Sequence, residues 1–156
     1  MRLYGLDTNI FITAWWHIYP IDVFPNLWEQ LSLKAEHIPI LHPILTELRN
    51  GKEKNDVRFW MESQQFSIEP ITSEINQEAI GMEARYQTGR SDKGVNSIDI
   101  QLVAWAKITG NTVVTFEKQP NHPLKPYNYK IPTICDKEGV RCILFVDFLR
   151  ELSISL

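Results

Sequence analysis

The chain has 156 residues, 44% of them hydrophobic, which is enough for one domain over residues 1–156 with a buried core. Sixteen Lys and Arg against nineteen Asp and Glu leave a net charge of −3, which runs against a broadly basic nucleic-acid-binding surface. No signal-peptide pattern opens the chain and no apolar run approaches the ~18 residues of a membrane span, so a cytoplasmic protein without membrane contact is expected.

Residues 2–6 form a short apolar run that reads as a buried strand, followed by Asp7-Thr8-Asn9 and an apolar stretch that starts a helix at residues 10–16. Residues 18–25 are punctuated by proline, and Pro25 suits the first turn of a helix reaching about Glu36. A short strand is expected at 38–41, then a helix from near Pro43 to just before Gly51. Residues 52–65 are charged and helical, with Val57, Trp60 and Met61 on one face. Residues 66–71 look extended, and Thr72 or Ser73 caps a helix through Tyr86. A polar loop is expected at 88–94, after which Asn96 or Ser97 caps a helix ending at Gly110. Residues 112–116 are a β-branched strand, 119–132 a proline-rich irregular excursion, 141–145 a last strand and 146–152 a last helix. Strands alternating with helices predict an α/β fold, with three α/β/α layers around a parallel sheet of about four or five strands.

Four acids fall at comparable points of this pattern. Asp7 ends the first strand, Glu47 lies about one turn into the helix after the second, Asp99 opens the helix capped at Asn96 or Ser97, and Glu117 follows the strand at 112–116. In open α/β sheets the carboxyl ends of the strands are where ligands bind. Taken singly, each has a plainer use: Asp7 as a cap or Asx-turn, Glu47 as an acid early in a helix, Glu117 as a solvated strand end. Asp99 is the hardest to explain that way, because Ile98, Ile100, Leu102, Val103, Ala104, Trp105, Ala106 and Ile108 make its helix apolar nearly all round. Two carboxylates at ~6 Å repel by roughly 3 kcal/mol at an effective dielectric of ~20, so four gathered together call for cations. Oxygen donors select Mg²⁺ or Mn²⁺, and two such ions activate water and stabilise the leaving oxygen of a phosphodiester.

These residues resemble the PIN-domain family, including its VapC-like nucleases. Leu6-Asp7-Thr8-Asn9-Ile10-Phe11 resembles its opening motif and Glu47-Leu48 its second acid. Ser97-Ile98-Asp99, then Leu102 to Ala106, Gly110 and Val113-Val114-Thr115, resembles its third motif and the strand after it. The resemblance implies a Rossmann-like α/β/α fold and a Mg²⁺- or Mn²⁺-dependent ribonuclease, with Asp7, Glu47 and Asp99 as metal ligands and catalytic residues. Thr8, Asn9 and Thr115 would be supporting polar groups. It also implies a toxin of a type II toxin–antitoxin pair, with single-stranded or structured RNA as substrate, a small antitoxin as partner and a homodimer as one assembly. Glu117 departs from the pattern, which often places Asp there, and its longer side chain would reach metal directly or through water. The long proline-rich stretch, with Lys130-Ile131-Pro132-Thr133-Ile134-Cys135, looks more like a prokaryotic PIN-like branch than like minimal toxins.

Three rival readings remain, the first a DNA nuclease on the same fold, which has the same acids. A haloacid-dehalogenase-type phosphatase also places Asp after its first strand but wants a second acid two residues on, where this chain has Asn9. A PIN-like scaffold would bind RNA or a partner protein without cutting. Cys135 and Cys142 stand seven apart with no histidine at ligand spacing, which fits reduced structural thiols rather than zinc. Phe11, Trp15, Trp16, Trp28, Trp60 and Trp105 suit core or interface packing better than base stacking, and Trp15, Trp16 and Tyr19, if exposed, would make a partner surface.

Overall fold

The β-branched and apolar runs pair into two parallel sheets. The structure, a computed structural model, describes residues 1–50, 55–86, 95–122, 124–125 and 128–156. Strands β1 (Tyr4–Leu6), β4 (Thr112–Thr115) and β5 (Cys142–Leu144) form one sheet in the order β1-β4-β5, and β2 (Ile40–Leu41) pairs with β3 (Ile68–Glu69). All pairings are parallel. The expected single sheet of four or five strands is therefore a three-stranded sheet with a separate two-stranded ladder. β2 and β3 carry two residues each and pair with each other rather than with β1, β4 or β5.

Helices cover both faces of the larger sheet, which gives the three layers. Successive strand residues point to opposite faces. Gly5 looks toward α5 (Ser97–Thr109), where an added Cβ would stand 2.6 Å from Trp105 Cζ3 and 2.7 Å from Leu102 Cδ1. Only glycine allows α5 to sit this close. Tyr4 points the other way, its ring 5.2 Å from Phe148 of α7 (Phe145–Glu151). Helices α4 (Ser73–Tyr86) and α6 (Ile131–Glu138) pack beside α5.

Residues 10–16, expected to begin an ordinary helix, form a wide π-type helix over Ile10–Ile18, with the Tyr19 N–H donating to the Ala14 carbonyl at 2.7 Å. The wide turn inserts Ile10, Phe11, Ala14 and Trp15 into the core. Trp15, Trp28 and Trp60 form an aromatic cluster with centroids 4.9–5.6 Å apart. Trp28 belongs to α1 (Pro25–Leu33), and Trp60 to α3 (Asn55–Ser63), which packs on α2 (His42–Asn50). Trp15 is thus buried and Tyr19 packs against the core, so of the expected partner surface only Trp16 is exposed. The helix expected to run to Glu36 stops at Leu33 and continues as a 3₁₀ turn, Ala35–His37. The excursion expected at 119–132 ends early, because Ile131 starts α6. The loop expected at 88–94 and the start of the helix expected at 52–65 lie outside the described residues. Cys135 and Cys142 are free thiols. No helix among the described residues is long and apolar enough to cross a membrane.

Candidate functional site

The carboxyl ends of β1 and β4 lie side by side, because Leu6 is in register with Val114. The next residue on each strand is Asp7 and Thr115, and the Asp7 N–H donates to the Val114 carbonyl at 3.0 Å. The Asp7 side chain, 2% exposed, is held from two sides. The Asn9 backbone N–H donates to Oδ1 at 3.2 Å, and the Thr115 hydroxyl donates to Oδ2 at 3.3 Å. Thr115 Oγ1 also accepts from the Glu117 N–H at 3.1 Å, so one hydroxyl ties the two acidic strand ends together. Glu117 Oε2 in turn accepts from the Ile131 N–H at 3.3 Å, at the first turn of α6.

Asp99 enters from the N-terminus of α5. Asn96 Oδ1 accepts from the Asp99 N–H at 2.8 Å, and Asp99 Oδ2 accepts from the Asn96 N–H at 3.4 Å, a reciprocal capping box. Glu47 sits in the second turn of α2, and its Oε2 is buried with no hydrogen-bond partner among the described residues. Thr8 Oγ1 is likewise buried and unpartnered. Asn9 is exposed and reaches Asp7 through its backbone rather than its side chain.

The four acids sense one another electrostatically. Burial pushes the Asp7 carboxyl up to about 6, opposed by the Asn9 N–H and assisted by the charges of Glu117 and Glu47. Asp99 is pushed up to about 8, by burial first, then by Asp7, against the Asn96 hydrogen bond, and further by Glu117 and Glu47. Among the described residues none of the four is in an ion pair. Nor are three or more His, Cys, Asp or Glu side chains already gathered into a metal-holding set among those residues. The donor set nevertheless suits a hard divalent cation: it is all oxygen, and among the described residues it has no ion-pair partner and includes a buried carboxylate oxygen without a hydrogen bond.

The family model for Domain of unknown function (DUF4411) matches residues 4–156. The chain belongs to that family. No curated protein sequence matches it. Among solved structures it is similar to a chain of VapBC2 from Rickettsia felis bound to a DNA fragment from their promoter, at 18% identity and a TM-score of 0.52, over 74% of this chain and 89% of that one. It is also similar to FitAB bound to the IR36 DNA fragment, at 20% identity and a TM-score of 0.55, over 91% of this chain and 94% of that one. FitAcB from Neisseria gonorrhoeae gives 20% identity and a TM-score of 0.54, over 90% and 96%. At these identities the likeness is one of fold, and the fold of this DUF4411 chain is PIN-like.

Proposed function

We propose that this DUF4411 protein is a metal-dependent endoribonuclease in which Asp7, Glu47, Asp99 and Glu117 hold Mg²⁺ or Mn²⁺. The observation that carries the reading is that four acids, none ion-paired among the described residues, act on one another's charge near the carboxyl edge of a parallel sheet. An acid cluster kept only for stability would be paired, because a buried unpaired charge is costly. Bound Mg²⁺ or Mn²⁺ would supply an activated water and neutralise charge on the leaving oxygen.

The chain's own groups prepare that site. The Asn9 N–H and the Thr115 hydroxyl fix the Asp7 carboxylate in one orientation. Asn96 holds the backbone of Asp99 through the capping box, and Thr8 offers a free hydroxyl beside Asp7. Glu117 is steadied by its bond from the α6 backbone.

On the same footing the protein is read as the toxin of a two-component pair, since its fold matches chains from the VapBC2 and FitAB complexes. A small antitoxin would cover the acids, and an inserted Arg would suit them, because guanidinium pairs well with carboxylates. One observation favours a scaffold that binds RNA without cutting it, namely that three acids are not yet gathered among the described residues. The deciding experiment is Mn²⁺-dependent cleavage of a mixed RNA pool and a matched DNA pool by purified wild type and Asp99→Asn. Loss of RNA cleavage in the variant is expected; equal rates, or no cleavage by either, overturn the enzyme reading.

A further inference from the structure

From Glu117 a line of three adjoining hollows leads away from the acids. The first, about 150 Å³, is lined by Glu117, Gln119 and Pro132. The second, about 220 Å³, shares Gln119 and Pro132 with it and adds Asp136. The third, about 330 Å³, shares Gln119 and Asp136 and is walled by Asn121, His122, Tyr129, Thr133 and Lys137. The end hollow thus lies between residues 119–122, Tyr129 and α6, whose first N–H is already bonded to Glu117.

The end hollow is built for a ligand. Thr133 is 9% exposed, its Oγ1 is buried without a hydrogen-bond partner among the described residues, and it lines the cavity. Tyr129 is pinned as a wall: its ring meets Tyr86 edge-on at 6.1 Å, and the Tyr86 hydroxyl is fixed by Glu138. Lys137 Nζ stands 5.3 Å from the Tyr129 ring centroid. The volume lies at the small end of ligand pockets, which run from ~300 to 1,000 Å³. An aromatic wall, an unpartnered hydroxyl, a carboxylate acceptor and side-chain amides match the flat face and mixed donor and acceptor edge of a nucleobase.

We propose that this hollow takes one unpaired base of the RNA strand whose backbone lies at the acids, packing it against Tyr129 and reading its edge with Thr133 and Asp136. The inference rests on the ribonuclease reading and adds to it a source of sequence preference outside the acid cluster. Single-stranded RNA is recognised in this way, by splayed bases set on aromatic side chains and hydrogen-bonded at their edges.

The test is fluorescence anisotropy of labelled five-nucleotide homopolymers (A, C, G and U) in EDTA, with the full chain. Wild type is expected to favour one base. Tyr129→Ala should weaken its binding by roughly 5- to 150-fold, since stacking one base is worth about 1–3 kcal/mol. Tyr129→Phe should bind as wild type does, and Thr133→Val and Asp136→Asn should change the order of preference. If Tyr129→Ala does not fold, Thr133→Val and Asp136→Asn decide. Cleavage that persists in the variants with an unchanged base at the cut overturns the base pocket and leaves the nuclease reading standing. Absence of both binding and cleavage in wild type overturns both.

Discussion

Helix α5 has acids at each of its ends, and the two groups are treated in opposite ways. Near its C-terminus Lys107 donates to Glu78 at 2.6 Å and to Glu138 at 2.9 Å, and Arg85 reaches the same two at 3.2 and 2.8 Å. The Lys107 hydrogen bond holds the Glu78 pKa below the usual carboxylate range against a smaller effect of burial. Burial works against the charge of Glu138, but Tyr86, Lys107 and Arg85 outweigh it and its pKa is lowered too. At the N-terminus Asp99 and Asp7 shift the other way, with no ion-pair partner among the described residues. The first cluster is a clasp between α4, α5 and α6. The second has no ion-pair partner among the described residues, and this asymmetry within one helix is what the proposed metal site rests on.

The strongest way to break the comparison is Asp99→Asn. Asparagine caps about as well as aspartate, so the link to Asn96 survives while one repelling charge goes. Mn²⁺-dependent RNA cleavage should fall by orders of magnitude, each ~1.36 kcal/mol of lost transition-state stabilisation being tenfold in rate. Asp7→Asn should behave alike, and Glu117→Gln less severely. Metal-free Tm should hold or rise in Asp99→Asn, whereas a large fall would make Asp99 a structural residue.

The next largest effect is on stability against pH. A carboxyl whose folded pKa exceeds its unfolded value holds more protons folded than unfolded, so the protein loses stability as pH rises between the two values. The contribution is full below about pH 4 and is lost as pH rises through about 6 for Asp7 and about 8 for Asp99. In EDTA the Tm should therefore fall from pH 5 to pH 9. The accompanying loss of stability is on the order of a few kcal/mol, because each tenfold change in proton affinity is worth about 1.4 kcal/mol. Millimolar Mn²⁺ should remove or reverse the slope, because deprotonated ligands bind metal better. Parallel slopes with and without Mn²⁺ would mean that the acids do not hold the ion.

Much of this edge was legible in the sequence, for local reasons. Asn96, the apolar run after it and Gly110 mark α5 at both ends, so the position of Asp99 followed from capping alone. Asp7 was readable because a three-residue apolar strand ends on it. Tertiary packing supplied what was missed. The wide geometry of Ile10–Ile18 leaves no trace in a stretch that is apolar on all sides. The unpartnered oxygens of Thr8 and Glu47 depend on what other elements cover. Helix α6 did carry a signal, Pro132 in its first turn and Gly139 (φ 70°) after its last, but three further prolines just upstream hid it. With α6 went the support of Glu117 and the wall of the outer hollow.

Breaking the other end of α5 should give the mirror result. Glu138→Gln removes the shared acceptor of Lys107 and Arg85 and alters the bond from Tyr86, with a side chain only 6% exposed. A loss of about 1–3 kcal/mol is expected, typical of a charged hydrogen-bonded acceptor, since both cations can still turn to water. Mn²⁺-dependent cleavage should stay near wild type. Denaturant unfolding and cleavage measured on the same preparation separate the two, and a variant of full stability but lost activity would join the two clusters into one site.

The smallest effect belongs to Glu78→Gln. Its side chain is 25% exposed and its partners Lys107 and Arg85 are 37% and 47% exposed, so solvent screens the pairs. Both cations also keep Glu138 when Glu78 is gone. Exposed pairs of this kind contribute about 0.2–1 kcal/mol. The sign of the pH dependence is opposite to that of Asp99. A lowered folded pKa gives stability that is present above the unfolded value of about 4.3 and is lost as pH falls through the folded one. The variant should therefore melt slightly below wild type at pH 7 and together with it at pH 3, and 1 M NaCl should close the gap at pH 7 as well. A deficit that survives both acid and salt would show that Glu78 acts through packing on α4 rather than through its charge.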